Sequence, residues 1–179
     1  MKTLTPDIIH VEQAKKFMQT YSEKGYGQNV LGVSHEEYID FIFIGKLCEI
    51  VFIMKLKELN VALMADDLLI PAAGDHRKGA DLILTKTNQS VDIKAGHKNF
   101  HTRLLVREDQ FLAHKHDLYI GAKYVSNERI DYYGYATKAM LSSVQPKDFG
   151  HGSCRHLLLS ELSSIDDFVK NARLGKVIR

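Results

Sequence analysis

The hydrophobic pattern changes period along the chain. Between Val11 and Tyr21, Ala14, Phe17 and Met18 recur three and four apart, the spacing of one helix face. Ser34, with Glu37 three residues on, carries a capping-box signature and predicts the start of a second helix that runs to about Asn60. The middle of that segment is apolar on nearly every side, which predicts a buried helix rather than one laid on a surface. Beyond it the pattern reads as strands. Val61 to Ile70 predicts a strand closed by Pro71, and a polar loop follows from Gly74 to Gly79. Ala80 to Lys86 and Ser90 to Ala95 predict a hairpin turning at Thr87-Asn88-Gln89. Leu105 to His116 predicts a helix. Leu118 to Val125 and Ile130 to Thr137 predict two more strands, and Arg155 to Leu159 a last short one. Ser163 to Ala172 predicts a closing helix, with Asp166 and Asp167 placed to favour the positive end of its dipole. This order predicts one mixed α/β domain over residues 1–179, a mixed central sheet flanked by helices.

Composition narrows the class. The chain has 179 residues, 45% hydrophobic and 26% charged, an ordinary globular balance that disfavours disordered, fibrous and coiled-coil readings. Its longest apolar runs, around Phe41 to Gly45 and Ile50 to Met54, fall far short of the ~20 residues a membrane span needs. No basic head followed by an apolar stretch opens the chain, so no secretory leader is expected. The two cysteines, Cys48 and Cys154, give neither a disulfide framework nor a zinc spacing, and a reducing, cytoplasmic setting is the simplest expectation.

Net charge is only +2, but it is unevenly spread. Between His76 and His116, eight lysines and arginines face four aspartates and glutamates, with five histidines besides. A basic middle fits an anionic partner, nucleic acid first. Within it Lys98, Arg103 and Arg107 are the expected phosphate contacts. His97 and His101, four apart, lack the Glu and Cys neighbours of a zinc motif and are read as phosphate contacts or as residues without a role. Tyrosines 132, 133 and 135 are read as half-buried strand packing rather than base-stacking platforms.

The chemistry concentrates in three short pieces. On the strand Ser90 to Ala95, Asp92 and Lys94 share one face while Val91 and Ile93 take the other. Asp81 begins the preceding strand, and the hairpin turn can bring it beside Asp92. Two neighbouring carboxylates repel unless a cation lies between them, and oxygen ligands suit a hard cation such as Mg²⁺. Such a cation assists hydrolysis at phosphate, and a nearby ammonium can orient water or stabilise the transition state. Glu49 lies among apolar residues on the long helix, where an ionised carboxylate is costly unless paired or metal-bound. Lys46, three residues upstream, offers the ordinary alternative of a helix-edge ion pair.

Gly45-Lys46-Leu47-Cys48-Glu49, then Gly79-Ala80-Asp81, then Val91-Asp92-Ile93-Lys94 together resemble the PD-(D/E)xK nuclease superfamily, with its restriction-endonuclease-like fold. The resemblance covers about residues 38–137, with an N-terminal helix and a C-terminal strand and helix as extensions. Ala80 stands where the family's name has proline, and Asp75 is a rival for the first aspartate. The resemblance implies Mg²⁺-dependent cleavage of DNA, with Mn²⁺ as a substitute ion. By the same carry-over Asp81 and Asp92 hold the metal, Glu49 assists through the metal or its water shell, and Lys94 acts on the attacking water. Double-stranded DNA is the expected partner, in a restriction-type or a phage or repair-type endonuclease, and a sequence-specific enzyme of this size is expected to dimerise. Two further readings stay open: a nucleic-acid-binding module on the same fold that does not cleave, and a small-molecule hydrolase with a coincidental Asp-x-Lys.

Overall fold

The computed structural model describes residues 1–23, 34–65, 79–114, 116–150 and 152–179. Residues 66–70 of the expected strand, the loop residues Gly74 to Lys78 with Asp75, and Lys115 lie outside the described residues. Helix α1 spans Ile8–Glu23. It starts three residues before the apolar period shows, because Asp7 accepts backbone N–H groups from His10 and Val11, and the Asp7 N–H donates to His10 Nδ1 at 3.1 Å. Helix α2 spans His35–Glu58, and both bonds of its capping box form. It ends where Asn60 takes a left-handed backbone, φ 58°, and the Val61 N–H reaches back to the Leu56 carbonyl.

Six strands form one sheet. They are β1 Lys2–Leu4, β2 Leu63–Ala65, β3 Leu82–Leu84, β4 Gln89–Gly96, β5 Leu118–Ser126 and β6 Arg129–Thr137. Their order is β1-β6-β5-β4-β3-β2, antiparallel throughout except for the central β4–β5 pair, which is parallel. The β3–β4 hairpin turns through Asn88 at φ 56°. β1 was not legible as a strand. Only three residues long, it is specified by its pairing with β6 and by Thr3 donating to the Asp131 carboxylate at 2.6 Å.

The expected helix from Leu105 is corrected. Arg103–Arg107 is a strand, β7, and only Glu108–His114 is helical, α3. Leu104 and Val106 are buried two apart while Arg103 stays exposed, so strand alternation governs this stretch. β7 pairs with β9, Ser153–Leu158, which in turn pairs with the two-residue β8, Lys147–Asp148. The three strands make a second sheet.

The six-stranded sheet has a core on each side. On one, α1, α2 and the closing helix α5, Ile165–Leu174, cover Leu82, Leu84, Val91, Ile93, Leu118 and Ile120. On the other, Tyr119 and Ala136 meet Leu104, Val106, Phe111 and Leu141, the last from α4, Lys138–Ser142. α4 is capped by Thr137, and Arg155 clamps this layer by a two-pronged bond to Glu108 and by donating to the carbonyls of Leu141, Ser142 and Val144. Gly134 is required where β6 meets Ser163, since a Cβ there would lie 2.2 Å from the Ser163 carbonyl oxygen. Among the described residues no helix is long and apolar enough to cross a membrane.

Candidate functional site

Val91 and Ile93 enter the helical core, and this leaves Asp92 and Lys94 on the opposite face of β4. Asp92 is buried, and its neighbour across the parallel ladder is Tyr119. Lys94 Nζ lies 2.8 Å from Asp92 Oδ2. Asp81 stands immediately before β3, one step beyond the Leu82–Val91 pair. Its carboxylate accepts the Ile93 backbone N–H at 2.5 Å, so it is tied to the residue between Asp92 and Lys94.

Glu49 comes from just past the middle of α2, with a side chain mostly withdrawn from water. It is ion-paired with Lys46, whose ammonium also lies 4.3 Å above the Phe17 ring of α1. The helix-edge pair expected as the ordinary alternative is therefore present. Glu49 is nonetheless electrostatically coupled to both Asp81 and Lys94.

The electrostatics follow from this crowding. Burial, then the negative charges of Glu49 and Asp92, push the Asp81 carboxyl well above the usual carboxylate range. Burial acts to lower the Lys94 pKa, but Asp92, Asp81 and Glu49 outweigh it and hold the ammonium charged above its ordinary value. The set is three carboxylates and two ammoniums, each largely withdrawn from water. As arranged, Lys94 holds Asp92 and Lys46 holds Glu49, and among the described residues no three His, Cys, Asp or Glu side chains stand grouped as a metal cage. The donor chemistry still suits a hard cation. All three donors are carboxylates, the oxygen chemistry that a hard cation takes.

Sequence reasoning selected three basic residues nearby, and the structure separates them. Arg107 makes a two-pronged pair with Asp109, at 3.0 and 2.7 Å. Lys98 lies 3.9 Å from Glu37 at the start of α2. Arg103 is exposed and lies in a cleft of about 340 Å³ that also admits Lys94. Phe100 and Phe149 line the same cleft and were not singled out from sequence. Phe149 is more than fifty residues from β4, and nothing local connects them. His97 and His101 build the loop before β7: His101 Nδ1 accepts the N–H groups of His97 and Lys98, and His97 packs on Phe41. Tyr132 and Tyr135 pack in the core more deeply than the half-buried reading, with Tyr132 stacked on Phe52 and donating to the Cys48 carbonyl at 2.7 Å.

Comparison with protein-family models, with curated proteins and with solved structures finds no match to this chain.

Proposed function

We propose that this protein is a Mg²⁺-dependent deoxyribonuclease of the restriction-endonuclease-like class, acting in the cytoplasm on DNA as an endonuclease. The observation that carries the reading is the convergence of Asp81 with the Asp92–Lys94 pair on adjoining strands, within the electrostatic reach of Glu49 on the packed helix. The order of supporting elements agrees: a helix bearing Glu49, a strand led by Asp81, a hairpin strand bearing Asp92 and Lys94, then a parallel neighbour.

In this reading Asp81 and Asp92 hold the cation, with Glu49 as a further oxygen donor. The bound cation supplies Lewis acidity and neutralises charge on the substrate phosphate. Lys94, charged and directed by Asp92, donates toward the non-bridging phosphate oxygens or the attacking water, stabilising charge that grows in the transition state. The Ile93 N–H fixes the Asp81 carboxylate, so the donor is preorganised before substrate arrives. Mn²⁺ has the same oxygen preference and is expected to substitute. If cleavage is sequence-specific, two copies acting as a homodimer account for cutting both strands.

One observation favours the non-cleaving alternative, a nucleic-acid-binding module on this fold: two of the three carboxylates already have lysine partners. The deciding experiment is incubation with plasmid, linear and single-stranded DNA, in Mg²⁺ or in EDTA. Mg²⁺-dependent cleavage that disappears in Asp92→Ala supports the nuclease. Binding of DNA without cleavage in either Mg²⁺ or Mn²⁺ selects the module.

A further inference from the structure

The cleft beside Lys94 is the most informative feature that the carboxylate cluster does not explain. Its walls are the end of β4, the loop before β7, the start of β7 and Phe149. Two phenylalanine rings, Phe100 and Phe149, and two cations, Lys94 and Arg103, line it, and among the described residues no carboxylate does. A ligand matching that lining is both aromatic and anionic. At about 340 Å³ the space lies at the small end of ligand sites, suited to one nucleotide and not to a stacked duplex.

The wall is built rather than incidental. A Cβ on Gly96 would lie 2.8 Å from the Cβ of His101, so glycine is needed for the loop to fold against β4. His101 then ties that loop by accepting two of its N–H groups. The same loop holds the Phe100 ring out with 73% of its surface in water, edge-on to His101. On the opposite strand layer Phe149 is steadied edge-to-face by His156, with the Arg103 guanidinium 6.0 Å from its ring centre.

We propose that this cleft receives a single unpaired nucleotide, its base stacked on Phe100 and Phe149 and its phosphate held by Arg103 and Lys94. The DNA strand acted on is then unpaired at the site: single-stranded, frayed or flapped. This rests on the nuclease reading and narrows its substrate. An intact duplex keeps its bases stacked on one another and has none to offer the cleft, whereas an unpaired strand can place one there without the cost of breaking a pair.

The test is equilibrium binding of the full chain in EDTA, which prevents cleavage. The probes are a labelled oligodeoxythymidine and a blunt duplex of equal length, and the proteins are wild type, Phe100→Ala, Phe149→Ala and Phe100→Trp. Circular dichroism checks that each variant folds, and Phe100, being exposed, keeps the test valid if Phe149→Ala does not. Each alanine variant is expected to bind the single strand about 10-fold more weakly, with duplex affinity changing less than about twofold and Phe100→Trp restoring single-strand binding. An unchanged single-strand affinity, or an equal loss on both probes, overturns the inference. Cleavage in Mg²⁺ reads the carboxylates separately. Cleavage without aromatic dependence of binding removes this inference alone, and aromatic-dependent binding without cleavage removes the catalytic reading alone.

Discussion

The Asp81 carboxylate accepts the backbone N–H of Ile93 at 2.5 Å, and Ile93 is the residue flanked by Asp92 and Lys94. One bond therefore links the residue that opens β3 to the centre of the Asp-x-Lys triplet on β4. It holds a buried carboxylate beside two others, and burial first, then the repulsion of Glu49 and Asp92, places Asp81 well above the usual carboxylate range. Asp81→Asn keeps the shape and an oxygen acceptor but removes the charge. Without divalent ions the variant is expected to melt at or above the wild-type temperature. Mg²⁺ is expected to raise the wild-type Tm and leave the variant's unmoved, because ligand binding to the native state alone stabilises it. Thermal denaturation with and without Mg²⁺ measures both, and equal Mg²⁺ shifts would remove Asp81 from the ligand set.

On the proposed reading Asp92→Ala removes a metal ligand, and it removes the ion-pair partner of Lys94. DNA cleavage is expected to vanish while the circular dichroism spectrum is retained. DNA affinity is expected to hold or rise, since a negative charge facing phosphate is lost. Wild-type cleavage by this variant would refute the site.

Lys94→Ala is expected to slow cleavage by about 100-fold or more, the usual cost of one preorganised transition-state donor. Because Lys94 is not a ligand, raising Mg²⁺ should not recover the rate. A Mg²⁺ titration of the variant decides this, and full recovery at high metal would make Lys94 a binding residue instead.

The basic segment is expected to contribute unequally. Arg103 faces the cleft, whereas Arg107 is held by Asp109 and Lys98 lies near Glu37. Arg103→Gln should flatten the salt dependence of DNA affinity by about one unit of slope, the amount for one phosphate contact. Arg107→Gln should flatten it less. Affinity against salt concentration, measured with the Asp92→Ala protein, tests the ranking. Equal slopes for the Arg103→Gln and Arg107→Gln variants would mean that the phosphates follow another path.

Asp131 governs part of the acid stability. Burial acts to raise its pKa, but the bonds from Arg129 and Thr3 prevail and hold it below the usual value. A depressed folded-state pKa stabilises above the unfolded value near 4, and the stabilisation is lost as pH falls through the lower folded value. Asp131→Asn is therefore expected to lower Tm by roughly 5 °C at neutral pH. The deficit should shrink below about pH 4. A pH series of melting curves on both proteins checks the convergence.

Local signals announced much of this molecule. The capping box at Ser34 and Glu37 and the left-handed Asn60 bound α2 because both act through neighbouring backbone groups. Period-2 alternation put Val91 and Ile93 in the core, and with that Asp92 and Lys94 on one face. Where the alternation was short, local reading failed. Arg103–Arg107 is extended because β9 and the core under Leu104 and Val106 supply bonds and burial that no neighbour in sequence provides. β1 is a strand for the same reason, through β6. The Lys46–Glu49 pair follows from their spacing of three on one helix, but tertiary structure alone decided that Glu49 also bears on Asp81, since a field depends on distance across the packed helix and not on spacing along it. It also decided the cleft. Phe100 and Phe149 line one cleft because β7 and β8 flank β9 in a second sheet laid against the first, a relation between segments that neither segment carries by itself.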